Sequence, residues 1–370
     1  MGAPAEESGV KVFKGKRVLV TGHTGFKGSW LTAWLKSLGA KVVGVALDPP
    51  TDPSHFIAAH LADGMTDLRI DIRDRSALQS AIVSAQPDFL FHLAAQSLVR
   101  RSYAEPIETW QTNVLGTLNV LEALRALDKP CAAVIITSDK CYDNVEWVWG
   151  YRETDAMGGP DPYSASKGAA ELAIRSYIKS YFPKTTSLVR IASARAGNVI
   201  GGGDWAADRI VPDCVKAWSV NQEVELRNPK ATRPWQHVLE PLSGYLNLAM
   251  ALTQRQDLHG EPFNFGPPAE QNHSVLELVQ RMSMHWDQVR WRDVSQAAGP
   301  YESGLLKLNC DKALHHLRWH AVMGFEDTVR MTAEWYRVYY QQPGQIAATT
   351  NAHIAAYSAM AKRRGLAWAQ

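Results

Sequence analysis

The chain has 370 residues, 46% of them apolar, with 39 basic against 37 acidic side chains and a net charge of +2. A chain of this length buries a core without staples, and its charge balance gives no long-range pull toward nucleic acid or an anionic membrane. Four scattered cysteines (Cys131, Cys141, Cys214, Cys310) predict reduced thiols, and neither a secretory signal nor an apolar run of roughly 20 residues is present, so cytoplasm is the default expectation.

Arg17 to Thr21 reads as a strand that runs into a glycine-rich turn and then a helix carrying Trp30, Leu31, Trp34 and Leu38. Gly39 sits where a helix C-terminal glycine belongs. Val42 to Leu47 forms a second strand, and Leu68 to Ile70 a short third that ends at Asp71. Asp74 caps a helix reaching about Ser84. Asp88 to Leu93 is a fourth strand, Glu105 to Leu127 a helical stretch, and Ala132 to Thr137 a fifth strand. Pro162 to Tyr181 is a long helix, followed by a strand over Ser187 to Ile191. Apolar runs without clean alternation fit strands buried on both faces. The alternation of strand and helix predicts an α/β fold, a doubly wound parallel (Rossmann) sheet with right-handed crossovers.

The pattern changes near Gly201, where glycine, proline and tryptophan become frequent. Three parts are expected: a dinucleotide-binding domain over 15–200, a smaller and mainly substrate-binding lobe over 201–340, and a tail over 341–370. One segment near Phe263 to Gly266 is expected to return to the main sheet. The Ala- and Thr-rich tail reads as a loosely attached helix or a partly disordered segment.

Gly22-His-Thr-Gly-Phe-Lys-Gly28 lies between a strand and a helix. Glycines there permit a tight turn and close backbone approach to a pyrophosphate, and the helix N-terminus supplies N–H groups. Glycines also serve turns that hold no ligand, but the flanking strand and helix favour a dinucleotide site over Gly22, Thr24, Gly25, Phe26, Lys27 and Gly28. His23 reads as a spacer within that turn. Asp71 either accepts from an adenine amino group or caps a turn. Asp48 sits where a ribose-binding carboxylate belongs, or is plain surface. No Arg or Lys occurs between Val42 and Leu68, which favours NAD over NADP.

Tyr163 and Lys167 stand at i and i+4 of the long helix, on one face. A lysine ammonium one turn away favours the phenolate that a tyrosine base requires. Ser138 follows the fifth strand directly, where a substrate hydroxyl can be held. A dehydrogenase needs only Ser, Tyr and Lys. The adjoining Asp139 and Lys140 either add a second proton-transfer step or form an ordinary ion pair on a solvated turn. His315, His316 and His320 lack an acidic companion and read as structural or surface residues, so no metal is expected.

The motifs together resemble the extended short-chain dehydrogenase/reductases, and within them the CDP-sugar branch of the nucleotide-sugar 4,6-dehydratases. The resemblance is carried by Thr21–Gly28, His92-Leu-Ala-Ala-Gln96, Thr112–Thr117, Ser138-Asp-Lys-Cys-Tyr-Asp143, Met157–Tyr163, Arg195–Trp205 and Arg233-Pro-Trp-Gln-His-Val238, and it covers most of 15–340. It implies NAD as cofactor, with Asp71, Ile72, Leu93, Ala94, Ala95, Gln96, Thr137, Tyr163 and Lys167 added to the cofactor contacts. It also implies dehydration of CDP-glucose to CDP-4-keto-6-deoxyglucose, a step in deoxysugar and O-antigen precursor synthesis. Tyr163 would take the 4-hydroxyl proton, Asp139 protonate the departing 6-hydroxyl, and Lys140 take the C5 proton. A lysine can do so only in its neutral form, which burial or a neighbouring cation favours. Ser138, Asn198, Arg209, Arg233 and His237 are the implied substrate contacts. A homodimer through Glu105–Leu127 and Pro162–Tyr181 is implied, a tetramer being the alternative. Two departures stand out: a longer strand before Asn198, and Tyr301 in Pro300-Tyr-Glu302 where the family has His. A nucleotide-sugar 4-epimerase and a catalytically silent NAD-binding regulator are the competing readings.

Overall fold

The computed structural model describes residues 9–287, 289–295 and 305–370. Among them, seven strands form one parallel sheet: β1 (Arg17–Thr21), β2 (Lys41–Ala46), β3 (Thr66–Arg69), β4 (Phe89–His92), β5 (Cys131–Ile136), β6 (Val189–Ala196) and β7 (Pro262–Phe265). Their spatial order is β7-β6-β5-β4-β1-β2-β3. The order reverses beside β1, so the carboxyl ends of β1 and β4 open a crevice suited to a ligand. β4 and β5 are buried along their whole length, as strands covered by helices on both faces must be.

The principal helices are α1 (Phe26–Ser37), α2 (Arg75–Ala85), α3 (Gly116–Arg125), α4 (Pro162–Tyr181), α5 (Leu239–Gln254), α6 (Phe325–Gln341) and α7 (Ile346–Arg363). Asp74 caps α2 by accepting from Ala77 N, and Gly39 follows α1 at φ 77°, a conformation glycine adopts without strain. Pro262–Phe265 pairs in parallel with β6, so the segment near Phe263 does return to the main sheet.

Three expectations need correction. The stretch 105–127 is not one regular helix: Pro106–Trp110 is α-helical, Gln111–Leu115 is a π-turn, and α3 follows. A further short helix, Val99–Ala104, precedes it. The strand before Asn198 runs from Val189 to Ala196 rather than ending at Ile191. The tail is neither loose nor irregular. α7 buries Ile346, Thr350, His353, Ile354, Tyr357 and Ala361, a stripe at three- and four-residue spacing. Tyr357 Oη donates to Glu240 on α5 at 2.7 Å, and Trp368 packs on Trp34 of α1. One hydrophobic cluster therefore runs from Val18 and Trp30 through Leu239 to Trp335 and Tyr357. The altered departure at Tyr301 lies outside the described residues.

Candidate active site

The glycine turn is built for close approach. Gly22 has φ 75°, and a Cβ there would lie 2.6 Å from Ala94 N. A Cβ on Gly28 would lie 2.0 Å from the carbonyl oxygen of Gly22, so no side chain fits where α1 crosses the turn. Gly25 is the residue before α1, whose first N–H groups carry no side-chain cap. These groups are available to an anion. Thr24 Oγ1 donates to Leu47 O, tying the turn to the end of β2. His23 is fully buried: its ring fills the space a Gly44 side chain would need, and its Nε2 bonds Asp67 at 2.8 Å. It is a packing residue and not an exposed spacer.

The loop after β4 is held from two sides. His92 bonds Thr21 at 2.6 Å and Thr117 at 3.1 Å, and burial brings its imidazole down to about 3, so it is neutral. Asn113, in the π-turn, accepts from Gln96 N and donates to Gln96 O and to Ser166 of α4. The extra residue of the π-turn points Asn113 at this loop. Leu93 to Gln96 and α4 are thereby fixed to one another. Asp71 is engaged by Arg73, at 2.6 Å through Nη2 and 2.8 Å through Nε, which holds its carboxyl below the usual range. Asp48 is largely exposed and lies 3.6 Å from Arg69. Arg69, one residue beyond Leu68, reaches the position assigned to a ribose-binding carboxylate.

Ser138, Asp139 and Lys140 leave β5 in a 3₁₀ turn. Ser138 caps it, accepting from Lys140 N, and its Oγ donates to Asp139 Oδ1 at 3.0 Å. Tyr163, at the start of α4, faces the same Ser138. Ser138 thus bonds the carboxyl and stands beside the phenol. Burial raises Asp139 above its ordinary value, against the lowering pull of Lys140, Ser138 and Lys27. Burial thus favours its neutral form. Lys167 Nζ stands 6.0 Å from the Tyr163 ring centre. The expected lowering of Tyr163 does not prevail: burial pushes the phenol up to about 12 against the lowering pull of Ser138 and Arg209, and burial brings Lys167 down to about 8.

The turn rests on a buried ion pair that sequence reasoning missed. Arg195 is fully buried and grips Glu171 through Nε and Nη2, both at 2.9 Å. Glu171 accepts from Thr137 and Ser193 as well. Arg195 Nη1 donates to Tyr142 Oη at 2.6 Å, and Tyr142 donates to Asn264 at 2.8 Å. Thr137 and Tyr142 bracket the catalytic turn, so the pair fixes it at both ends. Glu171 lies one helical turn beyond Lys167, a spacing visible in the sequence. Nothing local signals that Arg195, in an apolar strand, would meet it.

Lys27, expected as a cofactor contact, also faces the catalytic candidates. Its side chain leaves the first turn of α1 toward Asp139, Arg209 and Lys167, and burial brings it down to about 8. Of the expected substrate contacts, Arg209 is paired with Asp204 at 2.6 Å and faces Tyr163. Arg233 is half-buried in a short strand beside His273, with Nη1 donating to Thr232 O. Asn198 is half-buried beside the turn, its carbonyl accepting from Gln236 N. His237 packs against α1 and the start of α5, with its Nε2 without a hydrogen-bond partner among the described residues. It is fully buried, edge-on to Trp30, and its Nδ1 accepts from Leu239 N. Gln236 and His237 form a short strand in register with Val199 and Ile200, and adjacent strand residues point to opposite sides. Gln236 therefore takes the active-site side, lining a crevice with Asp139 and Lys307.

Among the described residues, no three His, Cys, Asp or Glu side chains are grouped as metal ligands, and no helix is long and apolar enough to cross a membrane. A sequence model of the GDP-mannose 4,6 dehydratase family matches residues 19–332. The CDP-glucose 4,6-dehydratase of Salmonella typhimurium is 49% identical over 331 residues, covering 88% of this chain and 92% of that protein. The CDP-paratose 2-epimerase of Salmonella typhi is 24% identical, covering 86% and 98%. Among solved structures, a UDP-glucose 4-epimerase of Stenotrophomonas maltophila with bound NAD superimposes with a TM-score of 0.75 at 23% identity, covering 87% and 98%.

Proposed function

The chain belongs to the GDP-mannose 4,6 dehydratase family, and from that membership we propose that it dehydrates CDP-glucose to CDP-4-keto-6-deoxyglucose with NAD as cofactor. It is a nucleotide-sugar 4,6-dehydratase, a hydro-lyase. The observation that carries the reading is the buried Asp139 carboxyl, raised above its ordinary value by burial and hydrogen-bonded by Ser138 beside Tyr163. A 4-epimerase has no use for a second acid there.

The side-chain-free cradle at Gly22 and Gly28, under uncapped N–H groups, fits a dinucleotide pyrophosphate. Gly22, Thr24, Gly25, Phe26, Lys27 and Gly28 would hold it, with Asp71, Ile72, Leu93–Gln96 and Thr137 lining the remainder. NAD supplies a hydride acceptor at C4, a hydride donor at C6 and a positive charge that favours phenolate. Tyr163 takes the proton of the 4-hydroxyl, which Ser138 orients. The 4-keto group acidifies the C5 proton, and Lys140 removes it. Asp139 gives its proton to the 6-oxygen, which leaves as water. Lys167 and Arg209 hold positive charge beside the phenol. Arg233 and Asn198 clamp the diphosphate, where an arginine fork suits paired oxygens.

The lobe over 201–340 carries most of the sugar-nucleotide contacts in this reading. We place the protein in the cytoplasm, as a homodimer in deoxysugar and O-antigen precursor synthesis. Ile107, Leu115, Leu172 and Tyr181 are exposed on the helices expected to pair, which supports the dimer. Incubation with CDP-glucose and NAD tests the function. A 4-keto-6-deoxy product is expected. An inverted C4 hydroxyl would assign an epimerase, and an unchanged sugar a silent regulator.

A further inference from the structure

Two buried polar atoms beside Asp139 are unaccounted for by the residues around them. Gln236 is 1% exposed. Its Nε2 donates to the carbonyl of Phe265 at 3.3 Å, which sets the amide orientation, because an oxygen cannot face that carbonyl. Its Oε1 is left without a hydrogen-bond partner among the described residues. Gln236 lines a narrow crevice together with Asp139, Gly197, Gly266 and Lys307.

Tyr245 reaches the same place from α5. It is fully buried, with its ring edge-on to Phe265 at 5.8 Å between centres, so both side chains converge on the end of β7. Its hydroxyl also has no partner among the described residues and stands within electrostatic reach of Asp139 and Tyr163. A buried donor or acceptor left unpaired costs the desolvation of that group, so folded proteins satisfy nearly all of them. Here a bare acceptor lines the crevice with Asp139, and a bare hydroxyl lies on a ring packed against the same end of β7. Their chemistry matches a group that donates and accepts at once, which is an alcohol.

We propose that Gln236 Oε1 and Tyr245 Oη form the seat of the sugar's 6-hydroxyl, holding that oxygen against Asp139. The 6-hydroxyl donates to Gln236 Oε1, and Tyr245 donates to the 6-oxygen. As Lys140 takes the C5 proton, the C5–H electrons form the C5–C6 double bond. The C6–O bond breaks with its electron pair on oxygen, and the Asp139 proton completes a water molecule. The Tyr245 donor lies where negative charge develops on the leaving oxygen, and it needs no rearrangement to act. The seat also selects for substrate: a sugar without the 6-oxygen leaves both groups bare. This inference rests on the dehydratase reading above.

The test compares CDP-glucose with CDP-6-deoxyglucose, which keeps C6 and lacks only its oxygen, by calorimetric titration of the NAD-loaded protein. Wild type should bind the 6-deoxy sugar about tenfold more weakly, the factor for one well-placed hydrogen bond. In Tyr245→Phe and Gln236→Leu that ratio should fall toward one, with the affinity for the 6-deoxy sugar unchanged. The kcat for dehydration should drop about tenfold or more in each. A wild-type ratio of one overturns the seat. So does an unchanged ratio in the variants, with or without a lower melting temperature, because the two groups would then be structural and served by water. If Gln236→Leu does not fold, Tyr245→Phe removes a single oxygen from a buried ring, and the wild-type comparison needs no variant. Failure of wild type to dehydrate CDP-glucose would instead sink the dehydratase reading.

Discussion

Replacing Arg195 with methionine removes the cation beneath the catalytic turn while keeping much of its volume. In the native protein burial alone drives Glu171 upward, and the Arg195 charge with the hydrogen bonds from Arg195, Thr137 and Ser193 overcomes it, leaving the carboxyl below its usual value. Both side chains are sealed, at 0% and 4% exposure, so solvent screening does not soften the loss. Breaking one side of such a pair costs about 3–5 kcal/mol, because a charge stays buried without its partner. The pH dependence follows. In Arg195→Met the native Glu171 holds its proton more tightly than the unfolded chain does, so its folded value is raised. Stability is then present below the ordinary glutamate range and lost as pH rises through the raised value. Urea unfolding at pH 5 and pH 8 should show the larger deficit at pH 8. Arg195→Met combined with Glu171→Gln should recover most of it, since no charge is then stranded. A deficit under about 1 kcal/mol, or one identical at both pH values, would refute the reasoning. Thr137 and Tyr142 lose their common anchor in the same variant, so kcat should fall with stability.

Other outcomes follow from the same geometry. Lys140→Ala should still oxidise C4, seen as bound NADH absorbance, yet stop solvent deuterium entering at C5; normal exchange would remove Lys140 from the base role. Tyr163→Phe should fold normally and lose about 10²–10⁴-fold in kcat, the usual worth of a positioned proton acceptor. Gly28→Ala forces a methyl against the Gly22 carbonyl and should cost about 1–3 kcal/mol together with NAD affinity, measured by melting and by NAD titration. Burial pushes Glu240 up to about 7, so its contribution to stability is present below the ordinary glutamate value of about 4.5 and is lost as pH rises toward 7. Glu240→Gln should flatten that part of the pH–stability curve; an unaltered curve would show that Glu240 does not titrate there.

Elements that depend on near neighbours were legible in the chain itself. The parallel strands appear as apolar runs because both faces are covered, and the glycine turn appears because only glycine tolerates the contact between residues 22 and 28. Asp74 as a cap, Pro162–Tyr181 as a helix, and Tyr163 with Lys167 on one face are all consequences of spacing within a turn or two. The proximity of Ser138 and Asp139 to that face follows from their place at the end of β5. What joins distant segments needed the folded chain. Arg195 and Glu171 are 24 residues apart, and only the packing of α4 over β6 makes them a pair. The sequence could not say which of Gln236 and His237 lines the crevice beside Asp139, because alternation leaves the face open until a partner strand sets it. The tail escaped hydropathy because its buried stripe includes the polar residues Thr350, bonded to His55 across the fold, and His353, stacked on Trp30. Sequence thus determined the type of fold and set Tyr163 and Lys167 on one helix face, through short-range geometry. Tertiary structure decided how deeply Asp139 is buried, what anchors its turn and which bare groups stand near it, because each depends on segments far away in the chain.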